Sequence, residues 1–473
     1  MPTNNPLIAQ ATITINASSV KVWEALTNPD LVRQYLFGTT VKTNWQVGSA
    51  IIYEGQWEGK TYQDKGIVMQ IEPGKLLVST YWSSMAGLAD IPENYKTVRY
   101  ELSPERFGTR LTVTQDNNAT PEEANHSSKN WQMVLEGIKK LLEGVKAMKR
   151  TLGRSGIEVS ALGMGCWAIG GPFWAGNTPN GWGEVDDEES IRAIHKALDM
   201  GVNLFDTANV YGAGHSERVL ARAFEGRRAE VVIATKFNAV FNETTRQVTG
   251  SDTTPEGIRR ACEDSLRRLN TDTIDLYQFH DNGFPADKAA SVRETLEELV
   301  SAGKIRAYGW STDFPERAEV FARGPHCSAV QLQLNVLDDN PAMLALCEKH
   351  NLAALNRGPL AMGLLTDKYA GRIKVAADDV RGEKSPDWMK YFKDGLPNPE
   401  WAAKRDAIRE ILTSQGRTLA QGALAWNWAR SEKTLPIPGF RTVAQVQENA
   451  GAMQFGPLML AQMGEIDRLL ERA

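Results

Sequence analysis

Four side chains near the middle of the chain have the chemistry to move a proton. They are Asp206, Tyr211, Lys236 and His280. A tyrosine is a poor acid near neutral pH, with an unperturbed pKa of about 10, and a nearby ammonium favours its ionised form. Lys236 can supply that charge, and a buried lysine needs a partner such as Asp206. His280 can hydrogen-bond the oxygen that Tyr211 protonates, so the set suits reduction of a carbonyl by a hydride from elsewhere.

Three short apolar runs must position these side chains. Each run has the length of a buried strand and turns polar at Asp206, Lys236 or His280, whereas Tyr211 lies in the loop after the first run. If the three strands are parallel neighbours, their carboxyl ends bring the four side chains to one place. A lone histidine, aspartate or lysine after a strand is more often structural, so the prediction depends on all four in order. We expect structural roles for the histidines that lack such company, His195, His215, His326 and His350.

From Thr151 onward, short apolar strands alternate with amphipathic helices. After a predicted hairpin, strands are expected near residues 161–164, 202–205, 231–235, 274–279, 307–309, 329–333, 352–355 and 435–437. Eight strand–helix repeats predict a closed (β/α)8 TIM barrel rather than an open sheet, with the active site at the carboxyl ends of its strands. The segment 367–399 after the seventh strand is rich in Lys, Asp, Gly and Pro, and is expected to be a mobile loop over the barrel mouth.

Length and composition limit the class of protein. A chain of 473 residues, 42% hydrophobic and 23% charged, is expected to form more than one globular domain. Its net charge of −5, without a basic surplus in either half, argues against a nucleic-acid partner. No apolar run approaches the roughly 20 residues of a membrane span, and no targeting segment is visible. Four widely spaced cysteines without a CxxC motif predict a reduced, cytoplasmic protein without a metal.

Residues 1–147 are predicted to form a separate α+β domain, and residues 148–473 the barrel. A strand precedes a helix that Ser18 or Ser19 can cap and that Asn28-Pro29 ends. Several antiparallel strands follow, and a closing helix over 127–143 carries apolar residues at helical spacing. In this order of elements a curved sheet can grip one long helix.

That order, with the opening Ile-Asn-Ala-Ser-Ser-Val-Lys-Val-Trp-Glu-Ala-Leu, resembles the START-like (SRPBCC) helix-grip superfamily over residues 8–145. The most similar branch is named for the activator of a heat-shock chaperone ATPase. The resemblance implies a cavity for an apolar ligand between sheet and helix. In the alternative interpretation, four tryptophans simply fill the core, as aromatic residues most often do: Trp45, Trp57, Trp82 and Trp131.

The second part of the chain, from about residue 149 to 473, resembles an aldo-keto reductase. The matching segments follow one another through the whole barrel: 205–212, 234–236, 275–280, 309–312, 358–365 and 437–442. The resemblance implies Tyr211 as general acid/base, Lys236 and Asp206 as its tuning pair, and His280 as the group that orients the carbonyl. It also implies NADPH as hydride donor, bound without a Rossmann fold. The glycines of residues 163–170 indeed lack the GxGxxG spacing.

Cofactor residues follow from the same resemblance. Ser311 and Gln331 match positions that hold the nicotinamide carboxamide, and Thr312 stands where many members have asparagine. Arg357 replaces a tyrosine that stacks on the nicotinamide in many members, and a guanidinium plane can stack there too. Arg441, near a helix start, suits a 2′-phosphate and favours NADP over NAD. The same resemblance assigns Arg441 to the adenosine end of the cofactor, together with Gly439, Gln445, Glu448 and Asn449. The remaining cofactor matches are Gly358, Leu360 and Pro438.

Three tryptophans follow the first barrel strand, and they either line an apolar substrate pocket or pack their own loop: Trp167, Trp174 and Trp182. The sequence thus predicts reversible NADPH-dependent reduction of an aldehyde or ketone, with a small-molecule carbonyl substrate and an apolar ligand for the N-terminal domain. The alternatives are a protein in which the barrel senses its cofactor and catalysis is secondary, or a chaperone-linked regulatory module. The intact set of four polar side chains favours the enzyme.

Overall fold

The computed structural model describes residues 7–15, 17–36, 38–57, 60–105, 108–143, 148–369 and 373–472. Two compact units are present. The first comprises the described residues up to Glu143 together with residues 415–417, and the second comprises the other described residues from Met148 onward. The predicted boundary between residues 147 and 148 adjoins the segment 144–147, which lies outside the described residues, so this boundary stays a prediction.

The first unit is a seven-stranded antiparallel sheet with three helices. The strands lie in the order β1-β7-β6-β5-β4-β3-β2. The elements are β1 (Ala9–Ile15), α1 (Ser19–Thr27), α2 (Pro29–Tyr35), β2 (Thr40–Lys42), β3 (Ala50–Trp57), β4 (Lys60–Glu72), β5 (Leu76–Tyr81), β6 (Lys96–Glu105), β7 (Gly108–Gln115) and α3 (Pro121–Glu143).

Helix α3 packs against one face of this sheet, over β1 and β7. Every second residue of β1 is buried, which is the pattern of a strand with one covered face. Residues of β1 and β7 form one apolar cluster with the buried stripe of α3, namely Ile13, Ile15, Leu111, Val113, Val134, Leu135, Ile138 and Leu142. The predicted α+β helix-grip layout is confirmed.

The helix ends follow local capping rules. Ser18 caps α1, since its hydroxyl accepts a hydrogen bond from the peptide N–H of Lys21 at 3.3 Å. Helix α3 begins at Pro121, earlier than the predicted residue 127, because Thr120 accepts from the N–H of Glu123 and proline suits the first helical position. Among the tryptophans, Trp45, Trp82 and Trp131 are half-buried, and the side chain of Trp57 lies outside the described residues.

The second unit contains sixteen strands and ten helices among the described residues. The strands are β8 (Lys149–Thr151), β9 (Glu158–Ser160), β10 (Gly163–Gly165), β11 (Trp174–Ala175), β12 (Thr178–Pro179), β13 (Leu204–Asp206), β14 (Val232–Phe237), β15 (Ala239–Asn242), β16 (Gln247–Ser251), β17 (Ile274–Phe279), β18 (Ile305–Ser311), β19 (Cys327–Gln333), β20 (Ala353–Arg357), β21 (Phe392–Lys393), β22 (Leu396–Pro397) and β23 (Thr434–Pro436). The helices are α4 (Asp187–Asp199), α5 (His215–Ala223), α6 (Pro255–Leu269), α7 (Ala289–Ser301), α8 (Pro315–Ala322), α9 (Pro341–His350), α10 (Pro399–Thr413), α11 (Leu419–Arg430), α12 (Val443–Gly451) and α13 (Leu460–Leu469).

Eight of these strands form a parallel sheet in the order β10-β13-β14-β17-β18-β19-β20-β23. At the seam, the peptide N–H of Gly165 donates to the carbonyl of Pro438 at 2.9 Å, and Gly165 bridges Gly439 in parallel. A side chain at Gly165 would place its Cβ 2.7 Å from the carbonyl oxygen of Ile437, so glycine is required there. All eight predicted strands are present, and the predicted TIM barrel is confirmed.

The interior of the barrel changes from apolar to polar along its axis. Side chains of the amino-terminal half form one buried apolar cluster, which includes Leu204 and Ala234. The segment between β8 and β9 adds Leu152 and Ile157 to that cluster and so covers this end of the barrel. Because side chains two residues apart on a strand share a face, Asp206 and Lys236 point into the same interior, one layer nearer the mouth.

The segment after β20 is more structured than its composition suggests. Val380 and Phe392 are fully buried and belong to the main apolar core, and β21 pairs with β22. Arg381 is buried as well. It binds both oxygens of Asp379, at 2.9 and 2.7 Å, and lies 4.4 Å from the ring of Trp182. The described part of this segment is therefore packed against the barrel, and its predicted mobility stays a prediction.

Candidate active site

The structure brings the four predicted side chains together at the barrel mouth. The ammonium of Lys236 donates to Asp206 Oδ2 at 2.6 Å and to the carbonyl of Thr207 at 2.7 Å. Its third hydrogen points to the hydroxyl of Tyr211 at 3.4 Å. The ring centroids of Tyr211 and His280 are 6.1 Å apart and the rings are perpendicular. Lysine, aspartate and tyrosine thus form one connected chain, with the imidazole beside it.

A tight loop holds Tyr211 in this position. The loop after β10 and the loop after β13 approach so closely that a Cβ at Gly212, where φ is +61°, would lie 1.8 Å from the carbonyl oxygen of Gly170. Only glycine allows this contact. Trp167, in the same loop as Gly170, stacks on Tyr211 with ring centroids 5.8 Å apart. The phenol is therefore fixed between Lys236 and Trp167.

Burial and charge act on this site in opposite directions. Burial raises the pKa of Tyr211 above its usual value, and the positive charge of Lys236 opposes that rise. Burial alone would lower the pKa of Lys236, but the interactions with Asp206 and Tyr211 together outweigh it and the pKa is raised. In the resting protein the lysine is therefore charged and the tyrosine is protonated. The predicted effect of the ammonium, which is to favour ionised Tyr211, is present but smaller than that of burial.

His280 is held neutral. Burial, together with the positive charges of Lys236 and Arg357, lowers the pKa of its imidazole to about 3. A neutral imidazole keeps one N–H donor and one acceptor nitrogen. It can therefore hydrogen-bond a carbonyl oxygen without carrying a charge. The other predicted structural histidines bind partners outside this site: His195 the carbonyl of Ala223, and His215, His326 and His350 a carboxylate each, of Asp187, Glu297 and Glu319.

Two amides bind the second oxygen of Asp206. The side-chain nitrogens of Gln278 and Gln331 donate to Oδ1 at 2.9 and 2.8 Å, and Gln331 also donates to the amide oxygen of Gln278 at 3.1 Å. Sequence reasoning missed Gln278. The available signal was a glutamine inside an apolar strand, two residues before His280 and therefore on the same face of β17.

The predicted nicotinamide residues lie at adjacent strand ends. Ser311 pairs with Gln331 in the register of β18 and β19, and both are buried. In the described chain the Ser311 hydroxyl and the Gln331 amide oxygen make no hydrogen bond. One hydroxyl and one amide oxygen fit a carboxamide, which needs a donor and an acceptor. Thr312 contributes its peptide N–H to the carbonyl of Gln331 at 2.9 Å.

Arg357 is fixed at the mouth by two neighbours. Its guanidinium forms an ion pair with Asp313 and donates to the side-chain oxygen of Gln333 at 3.1 Å. Gly358 has φ of +61°, and a Cβ there would meet Gln333 at 2.8 Å, so the chain turns sharply after Arg357. Leu360 packs against the main apolar core. A clamped guanidinium plane is suited to stacking.

The predicted adenosine residues lie on one segment next to the loop after β10. Arg441 donates to the carbonyls of Trp182, at 3.1 Å, and Glu184, and its own peptide N–H donates to Gln445 at 2.7 Å. Two hydrogen bonds connect α12 with neighbouring parts of the barrel. Asn449 donates to the carbonyl of Gly439 at 3.3 Å, and the carbonyl of Glu448 accepts from Gln421 at 3.1 Å.

A carboxylate lies at the first turn of α12. Glu189, on α4, accepts a hydrogen bond from the peptide N–H of Val443 at 3.0 Å and also binds Arg192. These contacts hold the pKa of the Glu189 carboxyl below its usual value. The free peptide N–H groups at the start of a helix can bind an anion. At the start of α12, the N–H of Val443 is already bound by Glu189, and the cation of Arg441 lies two residues before it.

Two of the three predicted pocket tryptophans lie at the site. Trp167 stacks on Tyr211, and Trp182 contacts Trp167 edge-on with centroids 5.4 Å apart. Trp388, from the segment after β20, approaches Trp167 at 6.2 Å and is 54% exposed. Trp174 instead lies in a small separate sheet, opposite Gln247 of β16. Trp388 could not be predicted from sequence, because its segment has a loop-like composition.

The barrel and its polar mouth define a class of oxidoreductase, and comparison with known proteins specifies the family. Residues 161–471 match the model of the Aldo/keto reductase family, so the chain belongs to that family. Residues 16–143 match a second model, Activator of Hsp90 ATPase homolog 1-like protein. Both predicted families are confirmed. Among the described residues, no helix has the length and apolar character to cross a membrane.

Curated relatives are similar to the barrel. Aldo-keto reductase YhdN of Bacillus subtilis (strain 168) is 31% identical over 305 residues, covering 62% of this chain and 85% of the relative. Aldo-keto reductase yakc of Schizosaccharomyces pombe, whose name specifies NADP(+), is 30% identical over 307 residues, with 63% and 84% covered.

Solved structures show the same likeness. The glycerol dehydrogenase AKR11B4 from Gluconobacter oxydans superposes with a TM-score of 0.57 at 32% identity, covering 69% of this chain and 95% of that one. An aldo/keto reductase from Klebsiella pneumoniae in complex with NADP and acetate has a TM-score of 0.50 at 26% identity, with 68% and 95% covered.

Proposed function

We propose that this protein reduces an aldehyde or ketone to an alcohol with NADPH, and catalyses the reverse oxidation. The observation that carries the proposal is the Tyr211 hydroxyl, 3.4 Å from a buried lysine that is itself bound to Asp206. NADPH supplies the hydride when it is bound. The residues of the chain supply the proton and hold the carbonyl.

Tyr211 is the proton donor in this proposal. It is protonated at rest because burial raises its pKa, so it can give a proton to the carbonyl oxygen as that oxygen becomes negative. Lys236 then stabilises the phenolate through charge, since it keeps its own proton beside Asp206. Neutral His280 donates a hydrogen bond to the same substrate oxygen. In the reverse direction the Tyr211 phenolate accepts the proton of the alcohol.

The cofactor assignment rests on the polar groups at the strand ends. Ser311 and Gln331 offer the hydroxyl and the amide oxygen that a nicotinamide carboxamide requires, and Arg357 offers a clamped plane for stacking. Arg441 supplies positive charge for a 2′-phosphate. The relative from Schizosaccharomyces pombe named for NADP(+) and the structural neighbour solved with NADP support the same choice.

The substrate pocket is proposed to have an aromatic wall. Trp167 and Trp182 come from the loop after β10, and Trp388 comes from the segment after β20. One indole stacked on the acid, with two more indoles against it, favours substrates that bring an apolar or aromatic group next to the carbonyl. Trp174 is left out of this wall because it lies in another sheet.

The proposal is tested by NADPH oxidation with a panel of aliphatic and aromatic aldehydes. Wild-type protein should turn over at least part of the panel, and Tyr211→Phe should lower kcat about 10²- to 10⁴-fold while NADPH still binds. Equal rates for both proteins would rule out Tyr211 as the acid. NADPH binding without turnover in the wild type would favour the alternative of a cofactor sensor.

We further propose that the first unit binds a ligand with an apolar body and a hydrogen-bonding group. Tyr35 and Tyr100 are half-buried between its two apolar clusters. Tyr81 donates to the buried carboxylate of Asp64 at 2.6 Å, and burial next to that carboxylate raises the pKa of Tyr53 to about 12. A core that only packed itself would not need several phenols beside a carboxylate.

Fluorescence titration of the full chain with anilinonaphthalene sulfonate tests this second proposal. Tyr100→Trp, which places a larger ring against both clusters, should remove one binding event, and unchanged binding would contradict the proposal. Capture of a chaperone by the full chain, with no such binding, would instead favour the chaperone-linked alternative.

We also propose a cytoplasmic location, because all four cysteines are buried and unpaired.

A further inference from the structure

The carboxylate of Asp206 is shared by two parts of the proposed site. Its Oδ2 binds the ammonium of Lys236, and its Oδ1 accepts from the side-chain amides of Gln278 and Gln331. All four side chains are at most 4% exposed. At such burial each hydrogen bond to the charged oxygen matters, because water cannot replace a lost donor.

This network also fixes which way the amide of Gln331 points. A carboxylate only accepts hydrogen bonds, so the amide nitrogens of both glutamines must face Asp206. The two hydrogens of Gln331 are then used by Asp206 Oδ1 and by the Gln278 oxygen at 3.1 Å. Its own amide oxygen is left facing away from the carboxylate, without a hydrogen bond in the described chain. That oxygen is the acceptor proposed for the nicotinamide carboxamide.

We propose that Gln278 is a positioning residue that holds Gln331 and Asp206 in one hydrogen-bond network. The orientation of the carboxamide acceptor on Gln331 and the charge of Asp206 that acts on Tyr211 then both depend on Gln278. The inference rests on the proposed function. Gln278 touches neither the substrate nor the cofactor, and acts through the orientation of its two neighbours. Loss of its amide should therefore affect both cofactor binding and proton transfer, which a residue that only fills space would not do.

The direction of the effect on proton transfer follows from charge. Three charged groups act on Tyr211, the anion Asp206 and the cations Lys236 and Arg357, and the neutral ring of His280 lies beside it. Asp206 raises the pKa of Tyr211, and the amide donors on its Oδ1 reduce that influence. Without the Gln278 amide, the pKa of Tyr211 should rise. Alcohol oxidation needs the phenolate, so its rate at low pH should fall and its pH profile should move to higher pH.

Gln278→Met tests the inference, because methionine has a similar length and no amide. For this variant we expect NADP⁺, titrated by quenching of tryptophan fluorescence, to bind about three- to tenfold more weakly. The low-pH limb of kcat/KM for alcohol oxidation should move upward by about 0.5 to 1 pH unit. Gln115→Met removes another buried glutamine, in the first unit, and should change neither quantity.

A double-mutant cycle makes the test sharper. Once Gln331→Met has removed the acceptor, adding Gln278→Met should weaken NADP⁺ binding little further. Additive losses, or a Gln278→Met enzyme with wild-type affinity and an unmoved pH profile, would overturn the inference while leaving the proposed function intact. If Gln278→Met does not fold, Gln278→Asn, whose shorter amide retracts from Asp206, should show the same two changes. A wild-type protein that neither binds NADP⁺ nor turns over would overturn both proposals.

Discussion

Lys236 and Asp206 form an ion pair 2.6 Å long with side-chain exposures of 0% and 4%. Taking two charges out of water is costly, and apolar residues of similar volume often stabilise a core equally well. Here the remaining hydrogens of the ammonium go to the carbonyl of Thr207 and the hydroxyl of Tyr211. We infer that this pair is retained for the charge that it places beside the phenol.

Lys236→Met should lower both activity and stability, and a second substitution at Asp206 should restore only the stability. The variant leaves Asp206 charged and unpaired in the barrel, so the free energy of unfolding should fall by about 3–5 kcal/mol. The turnover number should fall at least about 100-fold, because the phenolate loses its neighbouring charge. Adding Asp206→Asn should restore much of the stability, measured by urea unfolding, and none of the activity. Recovery of activity in the double variant would contradict this role.

The neutral state of His280 gives a prediction about pH and stability. Its pKa is about 3 in the folded protein and about 6.5 when unfolded. Between these values the unfolded chain binds the extra proton, so His280 makes the protein less stable as pH falls from about 6.5 towards 3. The slope is at most about 1.4 kcal/mol per pH unit.

His280→Gln isolates that contribution. Urea unfolding of wild type and variant at pH 5 and pH 7 should show a smaller loss of stability at pH 5 for the variant. Other titrating groups are the same in both proteins and cancel in the comparison. An equal loss in both would mean that the folded imidazole takes up protons near pH 6.

The barrel could be predicted because its signals are local. Each strand is an apolar run that turns polar where it ends, and this pattern marked Asp206, Lys236 and His280 along with the strands that carry them. Tyr211 was found through its glycine-flanked loop. Pairing in β18 and β19 then placed Ser311 beside Gln331, as the family resemblance implied.

Features that depend on contacts distant in sequence were missed. Gln278 reads as one polar residue in an apolar strand until the fold places it on Asp206. Trp388 lies about 220 residues from Trp167, and nothing near it in the chain indicates their contact. Trp174 has the same sequence signal as Trp182 but lies in a small sheet beside β16, whereas Trp182 contacts Trp167. Local composition cannot report which surface a loop covers.

Trp388→Ala should alter specificity rather than chemistry. The exposed indole lies against Trp167, which stacks on the proposed acid, so its removal should raise KM for aromatic aldehydes about tenfold. The kcat for a small aliphatic aldehyde should change little, because Tyr211 and Lys236 are untouched. Trp174→Ala is the matched control, since that ring lies in the separate small sheet. Steady-state kinetics with both aldehydes decide the matter, and equal effects of the two variants would exclude an aromatic wall that includes Trp388.

Cofactor preference should depend on two opposite charges near the start of α12. Arg441→Ala should weaken NADPH binding about 10- to 100-fold, since a charge-assisted contact to the 2′-phosphate is lost, and should leave NADH binding nearly unchanged.

Glu189→Gln removes the negative charge of the carboxylate that accepts a hydrogen bond from the N–H of Val443 at 3.0 Å. Its affinity for NADPH relative to NADH should rise about threefold, because the helix start becomes more favourable for an anion. Fluorescence titrations of both nucleotides with each variant give the two ratios. Ratios that stay at the wild-type value in both variants would mean that the 2′-phosphate binds elsewhere.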